Sequence, residues 1–135
     1  RYNKHKIAEQ HKHKLKKQKI KHQQKDFSLA NNYKNAKIDL SSTDDTTVYT
    51  CPTATQTIVK SILISNDSGN SDTLNITLTN TSSAVFSVFK AKSVASNTTV
   101  ELLSQPLIIM ESEILKAQAT TADRLHIIVS FLEVS

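Results

Sequence analysis

Glu111 and Glu113 stand two residues apart in the run MESEI. On a strand that spacing would turn both carboxylates to one face, where a pair can work as general acid and base or hold a hard cation. Because MESEI lies between two strand-like segments, the expected role is a solvated turn. Asp44 and Asp45, just ahead of the first strand of the apolar region, are read the same way, as acids that end a linker. His126 is the only histidine after residue 25, and nothing near it repeats a ligand spacing. Cys51, the single cysteine, precedes Pro52 and is expected to be a small buried hydrophobe. With one glycine in the chain, Gly69, a glycine-rich phosphate loop is excluded. His5, His11, His13 and His22 include the tract HKH, but interleaved lysines repel a cation, so these imidazoles are expected to add charge below about pH 6.5. The chain is therefore read as non-enzymatic, with no catalytic residue, cofactor or metal site.

Charge is distributed unevenly. Residues 1–25 carry ten Lys or Arg against the single acid Glu9, a segment charge of +9, while residues 26–135 have seven Lys or Arg against eleven Asp or Glu, or −4. Ile7, Ala8, Leu15 and Ile20 are the only apolar side chains of that leader, and they form no stripe at a helical or strand period. It has no means of making a core. Lys, Gln, Glu, Leu and Ala allow a helix once a partner neutralises the charge, so the arm is expected to be extended or conditionally helical. Its anchoring residues would be Lys12, Lys14, Lys16, Lys17, Lys19 and Lys21. Phosphates, an acidic protein surface and anionic lipid all suit such a segment. Lipid fits worst, because no apolar face is available to insert. Nucleic acid would be held without sequence specificity, since Tyr2 is the arm's one aromatic and Arg1 its one arginine. About five neutralised phosphates would give a slope of roughly −4 to −5 in log K against log salt on duplex DNA.

Residues 26–45 scatter Phe27, Leu29, Tyr33, Ile38 and Leu40 among polar residues and read either as a solvated linker or as an extended strap, with Phe27, Leu29, Tyr33 and Ile38 as apolar pins. From residue 46 apolar runs of strand length alternate with polar clusters: TTVYTC, QTIVKSILIS, DTLNITLTN, VFSVFKAK, TVELL, PLIIM, ILKAQAT and LHIIVSFLEV. Eight short strands without a helical crossover predict an all-β domain at 46–135, an eight-stranded antiparallel β-sandwich for which jelly-roll order is an option. The turn NDSGNSD is expected to use Gly69 at positive φ. Four sequons, at Asn66, Asn75, Asn80 and Asn97, are put down to composition. No run approaches the ~18 apolar residues of a membrane span, and no apolar stretch follows the N-terminal charges, so a soluble chain without membrane contact is expected.

Two strands are apolar on both sides. In LHIIVSFLEV, Leu125, Ile127, Val129 and Phe131 share one face while Ile128 and Leu132 occupy the other, and PLIIM behaves likewise. Either a loop or the strap of residues 26–45 covers that second face, or it is buried against another subunit, with Ile108, Met110, Ile128 and Leu132 at the interface.

The runs TTVYTCPTATQTIVKSILISNDSG, TLNITLTN and SVASNTTVELLSQPLIIMESEILKAQATTADRLHIIVSFLEV resemble the small β-sandwich structural proteins of tailed-bacteriophage virions. The resemblance covers residues 46–135 and departs at Ser112-Glu113-Ile114, where such proteins often carry Gly-Asp before the seventh strand. It implies a non-enzymatic virion component: a capsid decoration, or a neck, collar or tail accessory. Its partners would be other virion proteins, copies of itself and, through the arm, packaged DNA. Two other readings follow from the residues alone. A carbohydrate- or receptor-binding module is one, although the loops lack Trp to stack on sugars; a non-specific nucleic-acid-associated protein is the other.

Overall fold

The computed structural model describes residues 30–135, so the expectations for the arm, with Lys12, Lys14, Lys16, Lys17, Lys19, Lys21, Phe27 and Leu29, lie outside the described residues. The described chain is all β. Its strands are β1 (Asn31–Asp39), β2 (Thr46–Thr50), β3 (Gln56–Asn66), β4 (Asp72–Thr79), β5 (Val85–Val94), β6 (Thr98–Glu101), β7 (Leu107–Ile109), β8 (Ile114–Ala119) and β9 (Leu125–Val134).

The pairing is that of one long hairpin: β1 with β9, β2 with β8, β3 with both β6 and β7, and β4 with β5, all antiparallel. That hairpin is rolled so that β9 also meets β3 and β8 also meets β4. Two sheets result, β1-β9-β3-β6 with β7 beside β6 on β3 (sheet A), and β2-β8-β4-β5 (sheet B). This is jelly-roll order, with β6 and β7 together filling one strand position.

The roll differs from the expected eight strands at two points. The runs TVELL and PLIIM, read as separate strands, are successive halves of one edge position. Residues 31–39, read as strap, are the ninth strand and complete sheet A. As an edge strand β1 buries little: only Ala36 and Ile38 pack against the core, and its other side chains are polar or exposed. Alternation too sparse to see in sequence is enough when β9 supplies the hydrogen bonds. Leu40, directly after β1, is 1% exposed and fixes its end in the core.

Elsewhere the period-2 pattern does its expected work. Leu74 and Ile76 of β4, Leu115, Ala117 and Ala119 of β8, Val59, Ile62 and Ile64 of β3, and Leu125, Ile127, Val129 and Phe131 of β9 meet between the sheets. Cys51 is buried with them, its thiol 3.3 Å from Thr57 Oγ1.

Gly69 does not have positive φ; that conformation falls on Ala54, Ser83, Ala91, Asn97, Ser112 and Asp123. NDSGNSD is held instead by side chains. Asn66 Oδ1 accepts from Ser68 N–H at 3.0 Å, and Asn66 Nδ2 donates to the carbonyls of Asn70 and Val94. The turn before β8 keeps its tight form without Gly-Asp. Ser112 takes φ of 65°, Glu113 N–H donates to Met110 O, and the Glu113 carboxylate accepts from Met110 N–H at 2.7 Å. Glycine at that exposed, left-handed position removes the Cβ strain, so Ser112→Gly should raise stability by up to about 1 kcal/mol and Tm by a few degrees in thermal denaturation.

Candidate functional site

Along β9 the residues at 125, 127, 129, 131 and 133 point between the sheets, which leaves 126, 128, 130, 132 and 134 on the outer face of sheet A. Register carries each outward position across the neighbouring strands. Tyr33 lies beside Leu132, Leu132 beside Ile58 and Ile58 beside Ile108, a row of four large apolar side chains across β1, β9, β3 and β7. A second row runs Lys37, Ile128, Leu63, Glu101. Between them lies a trough of small polar side chains, Asn35, Ser130 and Ser61. Beyond the second row come Asp39, His126, Ser65 and Thr99.

Tyr33 is 79% exposed, Ile108 46% and Ile128 37%, while Leu132, Ile58 and Leu63 are half-buried by their neighbours. Strands 4.7–4.9 Å apart make the first row a continuous ridge. Met110, 46% exposed, extends it into a shallow depression of about 350 Å³ lined also by Ala54, Gln56, Glu111 and Val134. Ala30 and Ser135 exchange two backbone hydrogen bonds beside it, so the first described residue lies at this end of the face.

The other outer face is different in chemistry. On sheet B the outward positions are Thr47, Lys116 and Thr77, Gln118 and Asn75, with Ser87 and Ser93 on β5, and at one end a row of Thr50, Ile114, Thr79 and Val85. Apart from Ile114 and Val85 in that row, the face is polar. A smaller apolar spot, Val85 and Phe86, lies at the start of β5 near the β4–β5 tip.

Of the expected interface residues, Ile108, Met110, Ile128 and Leu132 all lie on or beside the outer face of sheet A. The two pins within the described residues separate: Ile38 packs inward, Tyr33 outward. Their spacing of five, an odd number, places them on opposite faces of any strand, a signal present in the sequence. Ile58 and Leu63 were not singled out from sequence, although they alternate with Val59, Ile62 and Ile64 on a strand whose bulge at Lys60 shifts the register by one.

Beneath the ridge, at the same end, a polar network ties the sheets together. Glu133 of β9, 6% exposed, accepts from Lys34 Nζ of β1 at 2.7 Å and from the Tyr49 hydroxyl of β2 at 2.5 Å. Tyr49 Oη is also 2.7 Å from Thr57 Oγ1, and its ring lies 4.3 Å from that of Phe131. Burial alone would raise the Glu133 carboxyl, but the hydrogen bonds from Lys34 and Tyr49 and the ammonium charge outweigh it and hold the group below the ordinary carboxylate range. Burial, then the hydrogen bond to Glu133, pushes the Tyr49 phenol well up, so it stays a neutral donor.

The remaining candidates for chemistry are separated. Glu113 caps its turn while Glu111 is exposed. His126 stands between Asp39, at 3.4 Å, and Asp67, at 3.2 Å. Among the described residues no group of three or more His, Cys, Asp or Glu side chains is placed to hold a metal ion.

No family model matches the chain, and no curated protein matches it. Among solved structures, a similarity is found to the cryo-EM structure of the virus-like particle of extra small virus from the giant freshwater prawn Macrobrachium rosenbergii. That likeness has 12% identity, covers 78% of each chain and has a TM-score of 0.36. The chain is also similar to the structure of infectious bursal disease virus Gt strain, at 9% identity and a TM-score of 0.36 over 78% of this chain and 32% of that one.

Proposed function

We propose that this chain is a non-enzymatic structural component of a virion, built into the particle by contact with other virion proteins and with copies of itself. The outer face of sheet A carries this reading. A small domain is stable by only about 0.05–0.15 kcal/mol per residue and has little margin for an uncovered apolar ridge. One sheet of this sandwich is mostly polar outside and the other carries a continuous apolar ridge, which suits a domain covered on one side only. Jelly rolls serve viral capsids and lectins alike, so topology enters as analogy and the surface chemistry decides between them. The ridge is apolar rather than a set of convergent hydrogen-bonding groups, and that favours a protein neighbour over a sugar.

The basic residues 1–25 supply the second contact. The described chain begins at Ala30, beside the ridge, so contact by either the face or the arm raises the effective concentration of the other. The finer reading, a decoration, neck, collar or tail part of a tailed phage, rests on the resemblance of residues 46–135.

Removing residues 1–25 tests the anchoring role. The truncated chain should keep the folded sandwich, since the strands of both sheets lie beyond residue 30, yet fail to load into particles. Loading to full occupancy would overturn it. If the acidic partner is DNA, a salt titration of the full chain should show the slope of about −4 to −5 and the truncated chain should show almost none.

A further inference from the structure

We propose that the cover of sheet A is a second copy of this chain, related by a two-fold axis that runs along the strands between β9 and β3. This deepens the reading of that face as an assembly surface and rests on it.

A two-fold along the strands keeps each row in line and reverses strand order. The row Tyr33, Leu132, Ile58, Ile108 then lies over Ile108, Ile58, Leu132 and Tyr33 of the second copy, apolar on apolar at every position. In the next row Ile128 lies over Leu63 of the second copy and Lys37 over its Glu101. The two ends of that row carry opposite charges, and this axis brings them together twice. An axis across the strands would leave β1 facing β1 and set Glu101 over Ile108 of the second copy, without a counter-charge. It would also stack the two Lys60 side chains, which stand exposed at the β3 bulge opposite Ser130. With the axis along the strands each Lys60 meets the trough formed by Ser61 and Ser130 of the second copy, where small side chains leave room for water.

The size of the face agrees with a dimer that needs further contacts. Four strand positions by about eight residues give a footprint on the order of 500 Å² per copy, or about 1,000 Å² for the pair. That is the lower limit for a specific interface. Aligned sheets pack about 10 Å apart within about 30°, which this axis permits.

The test uses the full chain, treated with nuclease so that residues 1–25 cannot be bridged by nucleic acid. Sedimentation velocity over a range of concentrations should show a monomer–dimer equilibrium. Ile128→Asp should weaken it at least about thirtyfold while leaving the thermal midpoint unchanged at concentrations where both chains are monomeric, because that side chain points away from the core. The axis is read by mixing Asp39→Cys chains with Thr99→Cys chains and adding a short bis-maleimide, because these residues share a row on the outer strands β1 and β6: the axis sets one over the other and leaves each about 14 Å to the side of its own copy. Cross-linking should be strong in the mixture and weak in either variant alone; Cys51 is buried and contributes no background. Strong cross-linking within one variant overturns the axis. A chain that stays monomeric at every concentration overturns self-pairing, while protection of the same face inside particles would then leave the assembly reading standing with another protein as the cover.

Discussion

Replacing Lys34 by methionine should cost about 3 kcal/mol at neutral pH, although the lysine is half exposed and exposed ion pairs are usually worth about 0–1 kcal/mol. The expected loss comes from what it leaves behind. Glu133 is buried, and without the ammonium its carboxylate must stay charged with Tyr49 as its remaining hydrogen-bond donor, or take up a proton. Protonation sets a ceiling. Neutralising a carboxyl with an ordinary pKa of about 4.3 at pH 7 costs about 3 to 4 kcal/mol, which caps what the unpaired carboxylate itself can cost the variant.

The same argument fixes the pH dependence. In the native chain the folded Glu133 binds its proton less readily than the unfolded one. Its contribution is therefore complete above the ordinary carboxylate range and is lost as pH falls through the depressed folded value. In Lys34→Met burial dominates and the folded carboxyl is raised, so the variant loses stability as pH rises past the unfolded value. The gap between the two should be widest near neutrality and close at low pH. Urea unfolding of both chains across that range measures it. A difference below about 1 kcal/mol at pH 7 would mean that the network is not the clamp between β1, β9 and β2 described above.

Lys34 also shows why part of this fold was legible in the sequence and part was not. Strands that bury a full face announce themselves: Leu74, Ile76 and Leu78, or Leu125, Ile127, Val129 and Phe131 of β9, cannot be satisfied in any other local structure. Ile128 and Leu132 were readable for the complementary reason, as apolar side chains at positions that alternation assigns to water. β1 carries no such sign. Its run NNYKNAKID takes its strand form from the open edge of β9, and the partner of Lys34 is Glu133, at the far end of the chain. Nothing local to either residue predicts the pair. Turn chemistry misled in a similar way: the lone glycine drew the expectation of positive φ, whereas Ser112, Asn97 and Asp123 take that conformation where backbone and side-chain hydrogen bonds hold the loop. The candidate surface was visible as four residues but not as a ridge. Its continuity depends on the register that places Tyr33 and Ile58 on either side of Leu132, and on β1 belonging to the sheet at all.

Radical footprinting of side chains in the native assembly, compared with the isolated chain, addresses the sheet A face directly. Tyr33 and Met110 react readily and are 79% and 46% exposed in the free sandwich; Phe86, 57% exposed beside sheet B, is the internal control. In the assembly Tyr33, Met110, Ile108 and Ile128 should be oxidised at least about tenfold more slowly, as fits a fully desolvated interface centre, while Phe86 stays as reactive as before. Unchanged rates at Tyr33 and Met110, with protection falling on Phe86 and Val85 instead, would contradict the assignment of that face as the surface by which this chain is built in.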